Sequence, residues 1–326
     1  MQNTLPARLH PNALAVVQSY SQLTKPKIIF LLLITTAGAM WIASHGQVDP
    51  WLFWATMAGG AMSAASANTI NMIYDRDIDD VMERTRHRPL PSGRIQVRDA
   101  LIFAAVLAIA AFALLATVAN LLSACLAMSG IAVYVGVYTH WLKRHSTQNI
   151  VIGGAAGAIP PLVGWAAVTN QLDWAAWVMF AIIFMWTPPH FWALAILKRE
   201  DYKKAGVPML PVVHGERYTA WSILVYALLM LPVTVLLVYP LHVMGSVYLV
   251  AALLLGLGLI WRTVRLIQDP YDRDRAASLF MYANVYLLLL CLGMGLDSLP
   301  VTQDWVASTG SWLATVTEVK PALPLS

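Results

Sequence analysis

A chain of 326 residues with 59% hydrophobic and only 12% charged side chains lies far from the roughly 25% charged composition of soluble domains. That balance excludes a water-soluble globular protein and indicates an integral membrane protein. Its net charge of +4 follows from membrane topology and calls for no nucleic acid partner.

The first 24 residues lack the compact apolar core and small-residue cleavage pattern of a secretory signal, and are expected to remain as a cytoplasmic N-terminal segment. Beyond them the gaps between charges locate the helices, because a spanning helix needs about 20 mostly apolar residues. Lys27 to Asp49 and Asp49 to Asp75 each hold one helix. Asp99 to Lys143 holds two with a turn near "ANLLS", Arg144 to Lys198 holds two around Asp173, Arg217 to Arg262 holds two around "VYPLHVMG", and Arg275 to Asp297 holds the last. Cys125 and Cys291 fall inside these runs, as buried small hydrophobes rather than a disulfide or metal pair.

The expected fold is therefore an all-α polytopic membrane protein with nine transmembrane helices and a cytoplasmic N-terminus. Residues 25–298 form its single domain, and residues 299–326 form an external, poorly ordered tail. Cytoplasmic loops hold the excess of Lys and Arg. In this topology the inner segments carry three, six, two, five and four basic residues in turn, 20 of the 21 in the chain, and only Lys320 lies outside.

Three inner loops concentrate the charge. In the first, "NMIYDRDIDDVMERTRHRPLPSG" (residues 71–93), Asn71, Asp75 and Asp79 recur every fourth residue and stack along one face of a helix, with Asp77 and Asp80 pointing elsewhere. Three oxygen-bearing side chains in a row at a membrane boundary are costly unless a cation fills them. Mg²⁺ suits the position, since it is usually held by one or two carboxylates plus substrate phosphates. Arginines just downstream suit the remaining phosphate oxygens. Charge balance alone would explain the arginines and aspartates, but not the amide of Asn71 one turn deeper.

The second cluster is "TPPHFWALAILKREDYKKAG". Glu200 and Asp201 end a span, and Pro188 and Pro189 are expected to kink or break that helix about two turns deeper. His190 follows among Trp186, Phe191 and Trp192, where it serves either as a packing residue or as a ligand. His140 and His242 have no such context and read as structural. Lys25, just before the first span, is either an interfacial anchor or a phosphate contact. Asp269, Asp272 and Asp274 in the third loop lack the spacing of four and read as solvated.

Asn71-x-x-x-Asp75-x-x-x-Asp79 resembles the first aspartate motif of the UbiA-type intramembrane prenyltransferases. The pair formed by "YDRDIDDVMERTRHRPLPSG" and "PPHFWALAILKREDYKKAGVPMLP" resembles the haem-farnesylating branch of that family, from "LTKPK" to the ninth span. The resemblance implies a helix bundle around a central cavity open to the cytoplasm, in a bacterial cytoplasmic membrane, with farnesyl diphosphate and protohaem IX as substrates and Mg²⁺ as cofactor. It also implies downstream contacts with haem A synthase or cytochrome oxidase assembly proteins. Carried onto this sequence, Asn71, Asp75, Asp79 and Asp201 hold metal, with Glu200 completing the catalytic set. Lys25, Arg84, Arg88 and Arg199 contact the diphosphate, and His190 binds haem. The second cluster lacks the paired aspartates spaced by four that many family members carry. Aromatic faces suited to an allylic cation are Tyr74, Tyr134, Tyr138 and Trp186. Two other readings are an aromatic or quinone-precursor acceptor and an ion-coupled transporter; the latter would place its acids near the midplane rather than at helix ends.

Overall fold

The computed structural model describes residues 13–299; the proposed external tail and the first twelve residues lie outside them. Short helix α1 (Ala13–Thr24) precedes α2 (Pro26–Ala43), α3 (Pro50–Tyr74) and the single-turn-and-a-half α4 (Arg76–Val81). Then come α5 (Val97–Leu114), prolonged by a π-helical turn over Leu115–Ala119, and α6 (Leu121–Ala132), prolonged likewise over Val133–Leu142. The remainder is α7 (Asn149–Thr169), α8 (Trp174–Leu197), α9 (Arg199–Lys204), α10 (Leu210–Val213), α11 (Gly215–Val235), α12 (Ser246–Gln268) and α13 (Arg273–Asp297).

Among the described residues, eight of these helices are long and apolar enough to cross a membrane. The expected second span, α3, is 25 residues long but is not one of the eight. Its polar residues serve the packing: Ser63 Oγ donates to Ala127 O at 3.1 Å on α6, Ser66 Oγ to Ala104 O at 2.8 Å on α5, and Asn68 Nδ2 to Thr24 O at 2.9 Å. Such bonds and small residues hold helices together where no hydrophobic effect drives them.

Long helices joined by short connections run antiparallel to their chain neighbours, and the last, α13, packs back on α2 to close the ring. The turns expected near Asn120 and Pro240 are both present. Asn120 caps α6 by accepting from Ser123 N at 2.8 Å and ties it to α7 by donating to Ala166 O at 2.6 Å. Close helix approach uses glycine at Gly164 and Gly153, among other positions. A Cβ on Gly164 would lie 2.3 Å from the Thr36 carbonyl oxygen of α2, and one on Gly153 would lie 2.4 Å from the Tyr138 ring of α6.

Pro188 and Pro189 do not break α8, which runs unbroken through both to Leu197. Each proline removes one backbone donor. Thr187 Oγ1 bonds Ile183 O at 2.8 Å, and Trp186 Nε1 reaches across to Ala283 O at 2.7 Å. The helix is buried in the main apolar core along this stretch, and packing there outweighs the lost bonds.

The antiparallel arrangement brings the start of α2 and the ends of α3, α6, α8 and α12 to one end of the bundle. The opposite connections, residues 44–49, 120, 170–173 and 236–245, contain no Lys or Arg.

Candidate active site

The first aspartate cluster keeps its predicted ladder although α3 ends at Tyr74. Asp75 N bonds Asn71 O at 2.9 Å and Asp79 N bonds Asp75 O at 2.8 Å, so the rise of one turn per step continues through the junction into α4. Asn71, Asp75 and Asp79 are buried, with 2%, 2% and 4% exposure, while Asp77 and Asp80 are exposed.

Cations surround this buried row. Lys25 Nζ donates to Asn71 Oδ1 at 2.7 Å, and Asn71 Nδ2 donates to Asp75 Oδ2 at 2.8 Å and to Thr139 Oγ1 at 3.0 Å. Thr139 in turn donates to Tyr134 O, 2.8 Å away and five residues earlier, a carbonyl that the π-helical winding of α6 presents to it. Lys143 pairs with Asp75 Oδ2, and a single nitrogen of Arg88, Nη1, donates to both Asp79 Oδ1 at 2.9 Å and Oδ2 at 2.7 Å. Asp75 Oδ1 is buried with no partner.

Lys25 reaches the row because the chain turns sharply there. Its φ of 55° is left-handed, Pro26 opens α2 directly after it, and Asn68 fixes the preceding carbonyl. Burial, then the Arg88 and Lys143 charges, push the Lys25 ammonium down to about 7. Burial, the largest of these causes, disfavours the charged amine, and an anion bound beside it would favour the ammonium again. Behind the row, Arg144 forks onto Asp77 with two contacts of 2.6 Å, and this pairing holds the Asp77 carboxyl down to about 2.

The structure sorts the remaining expected residues. Arg84 is exposed, whereas Arg88 is in the row. Glu200 is 66% exposed at its side chain and meets Arg199 at 3.4 Å. Arg199 is tied within its own loop, to Glu216 at 3.3 Å and Pro211 O at 3.1 Å. Asp201 is half-buried. No hydrogen bond or ion pair among the described residues joins Glu200 or Asp201 to the buried row. Tyr138 stacks on Tyr134, centroids 5.5 Å apart. Tyr74 instead turns outward toward His140.

His190 lies deeper on α8, sandwiched between Trp186 at 4.4 Å and Phe280 at 4.8 Å, with Phe191 edge-on at 4.9 Å. Its Nδ1 is buried without a hydrogen-bond partner, unlike a packing histidine whose polar atoms are satisfied. In the third loop Asp272 caps α13, accepting from Asp274 N at 2.8 Å and Arg275 N at 3.2 Å, in keeping with a solvated role.

Lys143 and Thr139 were not evident as site residues from the sequence. The only signal is position: Lys143 is the first charge after the long gap from Asp99, which reads as topology until α6 is folded against α3.

Among the described residues no three His, Cys, Asp or Glu side chains converge as a closed metal site. Two carboxylates and an amide along one wall, with one oxygen of Asp75 buried and unpartnered, are nevertheless what Mg²⁺ takes from a protein when phosphates supply the rest of its shell.

The model of the UbiA prenyltransferase family matches residues 32–288. Protoheme IX farnesyltransferase of Synechococcus sp. (strain JA-2-3B'a(2-13)) is 72% identical over 297 residues, 91% of this chain and 89% of that protein. The Nostoc sp. (strain PCC 7120 / SAG 25.82 / UTEX 2576) protein of the same name is 62% identical over 306 residues, 94% of this chain and 96% of that one. Among solved structures, digeranylgeranylglyceryl phosphate synthase superposes with a TM-score of 0.73 at 21% identity, covering 87% of this chain and 98% of its own. A UbiA homolog from Archaeoglobus fulgidus bound to GPP and Mg²⁺ gives 0.60 at 16% identity, covering 85% and 99%; at these identities the likeness is one of fold.

Proposed function

Because this chain belongs to the UbiA prenyltransferase family, we propose that its buried ladder serves allylic diphosphate chemistry. The reaction transfers the farnesyl group of farnesyl diphosphate to a vinyl group of protohaem IX with addition of water, releasing diphosphate. The observation that carries this reading is the row Asn71, Asp75 and Asp79, buried yet ringed by Lys25, Arg88 and Lys143. Carboxylates alone would repel a diphosphate and cations alone would need no aspartates; together they suit a diphosphate accompanied by a divalent cation. The names of relatives 72% and 62% identical over nearly the whole chain select haem as the acceptor over an aromatic or quinone precursor.

In this account α3 crosses the membrane as a ninth span, the basic end of the bundle faces the cytoplasm, and the membrane is the bacterial cytoplasmic one. Residues 1–24 lie on the cytoplasmic side, residues 25–298 form the catalytic domain around a central cavity, and residues 299–326 lie outside. Asn71, Asp75 and Asp79 hold Mg²⁺, with Asp201 and Glu200 approaching from the second loop. Bound there, the metal neutralises charge on the departing diphosphate.

The chain's own residues do the rest. Lys25, Arg88 and Lys143 receive the phosphate oxygens, Arg88 with the guanidinium nitrogens that Asp79 leaves free, and are joined at the rim by Arg84 and Arg199. As the C1–O bond of the donor breaks, its electron pair leaves with diphosphate, and these fixed cations stabilise the charge where it develops. The stacked faces of Tyr134 and Tyr138 stand beside the row and stabilise the allylic cation by about 0.5–2 kcal/mol each, while helix packing keeps water away. The haem vinyl carbon then bonds to C1, and water adds to the new cation beside the macrocycle and loses a proton. No strong general base is required, and His190, with its unpartnered nitrogen, orients the haem. The test is to supply the purified protein with farnesyl diphosphate and either protohaem IX or an aromatic acid, and to weigh the products. Farnesylated, hydrated haem supports the reading, and prenylation of the aromatic acid alone overturns it.

A further inference from the structure

An open cavity of about 520 Å³ lies between the ends of α3 and α6, lined by Tyr74, Arg76, Thr139, His140, Arg144 and His145 among others. Clefts of 300–1,000 Å³ suit compact organic ligands, and the chemistry of this one is specific. His145 Nδ1 lies 2.7 Å from Trp141 O. A carbonyl only accepts, so Nδ1 carries the proton and Nε2 presents its lone pair, the arrangement that fixes metal-ligating histidines. His140 meets the Tyr74 ring edge-on at 5.5 Å and makes no hydrogen bond among the described residues. Arg144 is neutralised by Asp77, which leaves exposed Arg76 as the cavity's available cation. Tyr74, 45% exposed, lines the cavity at the basic end of the bundle, as interfacial aromatics do.

We infer that this cavity docks the iron tetrapyrrole acceptor before reaction, with His145 Nε2 on the iron and Arg76 on a propionate. The inference rests on haem being the acceptor, and it assigns a site distinct from His190. An anionic lipid headgroup would also satisfy Arg76, but it gives no reason for a tautomer-fixed imidazole and an aromatic face. The cavity shares Thr139 with the cationic row, since that residue lines it and accepts from Asn71 on the other side. Haem held here is one side chain away from the catalytic turn.

The test titrates the full-length protein in nanodiscs with ferric protohaem IX and with iron-free protoporphyrin IX, without donor. Wild type is expected to give a ligation-induced Soret shift that His145→Ala loses, with haem Kd raised about tenfold or more. Iron-free porphyrin should bind His145→Ala as it binds wild type. Arg76→Ala should weaken both ligands. An unchanged shift in His145→Ala, or a shift lost only in His190→Ala, overturns the inference. So does iron-free porphyrin binding as tightly as haem and being displaced by phosphatidylglycerol vesicles, which marks a plain anion site. A His145-dependent shift in wild type that yields no farnesylated product supports the docking site and counts against the proposed reaction instead.

Discussion

Replacing Lys143 with Met isolates the pair at the centre of the site. Asp75 is 2% exposed; its Oδ2 receives both Asn71 Nδ2 and Lys143 Nζ, and its Oδ1 has no partner. Without the ammonium, the carboxylate keeps one amide hydrogen bond. Truncating one member of such a buried pair costs about 3–5 kcal/mol. At roughly 2–4 °C per kcal/mol for a chain of a few hundred residues, that lowers the thermal midpoint by about 6–20 °C. Adding Asp75→Asn removes the stranded charge, so the double variant should melt within a few degrees of wild type while remaining inactive. The assay is a set of four melts, wild type, each single variant and the double, in detergent without divalent ions or diphosphate. If the two single effects add to within about 0.5 kcal/mol, the carboxylate and ammonium do not depend on each other and the reasoning fails.

Arg88→Ala should reduce farnesyl transfer far more than Arg84→Ala, because Arg88 is bound to buried Asp79 and Arg84 is exposed; steady-state rates that rank them the other way would move the diphosphate outward. Thr139→Val removes the acceptor of the Asn71 amide and should cost about 1–3 kcal/mol of transition-state stabilisation, with Thr139→Ser restoring most of kcat/KM; equal loss in both would assign Thr139 to packing. Gly164→Ala forces a methyl to 2.3 Å from the Thr36 carbonyl, so α2 and α7 must separate. A destabilisation of about 1–3 kcal/mol is expected, read as a lower thermal midpoint, and an unchanged midpoint would dispute that contact.

The ladder was legible in the sequence because a spacing of four fixes a shared helical face whether or not the helix is continuous, and here the backbone bonds carry it through a junction. The gathering of basic residues at one end of the bundle was legible too, because the gaps between charges mark the helices whose ends they occupy. Lys143 was not, since its partner is 68 residues away and only the packing of α6 on α3 makes the charge part of a site. Lys25 was ambiguous because an interfacial anchor and a site lysine have the same sequence; only the folded chain shows that a left-handed turn brings it onto Asn71. The prolines of α8 read as a kink or break because propensity governs an isolated helix, while the surrounding core carries this one through without a break. His145 carried no pattern at all, and its meaning comes from the carbonyl beside it and the cavity in front.

The most direct measurement of the central claim is the affinity of a non-ionising farnesyl diphosphate analogue for the purified protein with Mg²⁺ and with chelator. Binding should require the divalent cation and weaken by about tenfold to a hundredfold in Asp75→Asn. Equal affinity in chelator, unchanged by that substitution, would contradict the assignment of the buried ladder to a metal-held diphosphate.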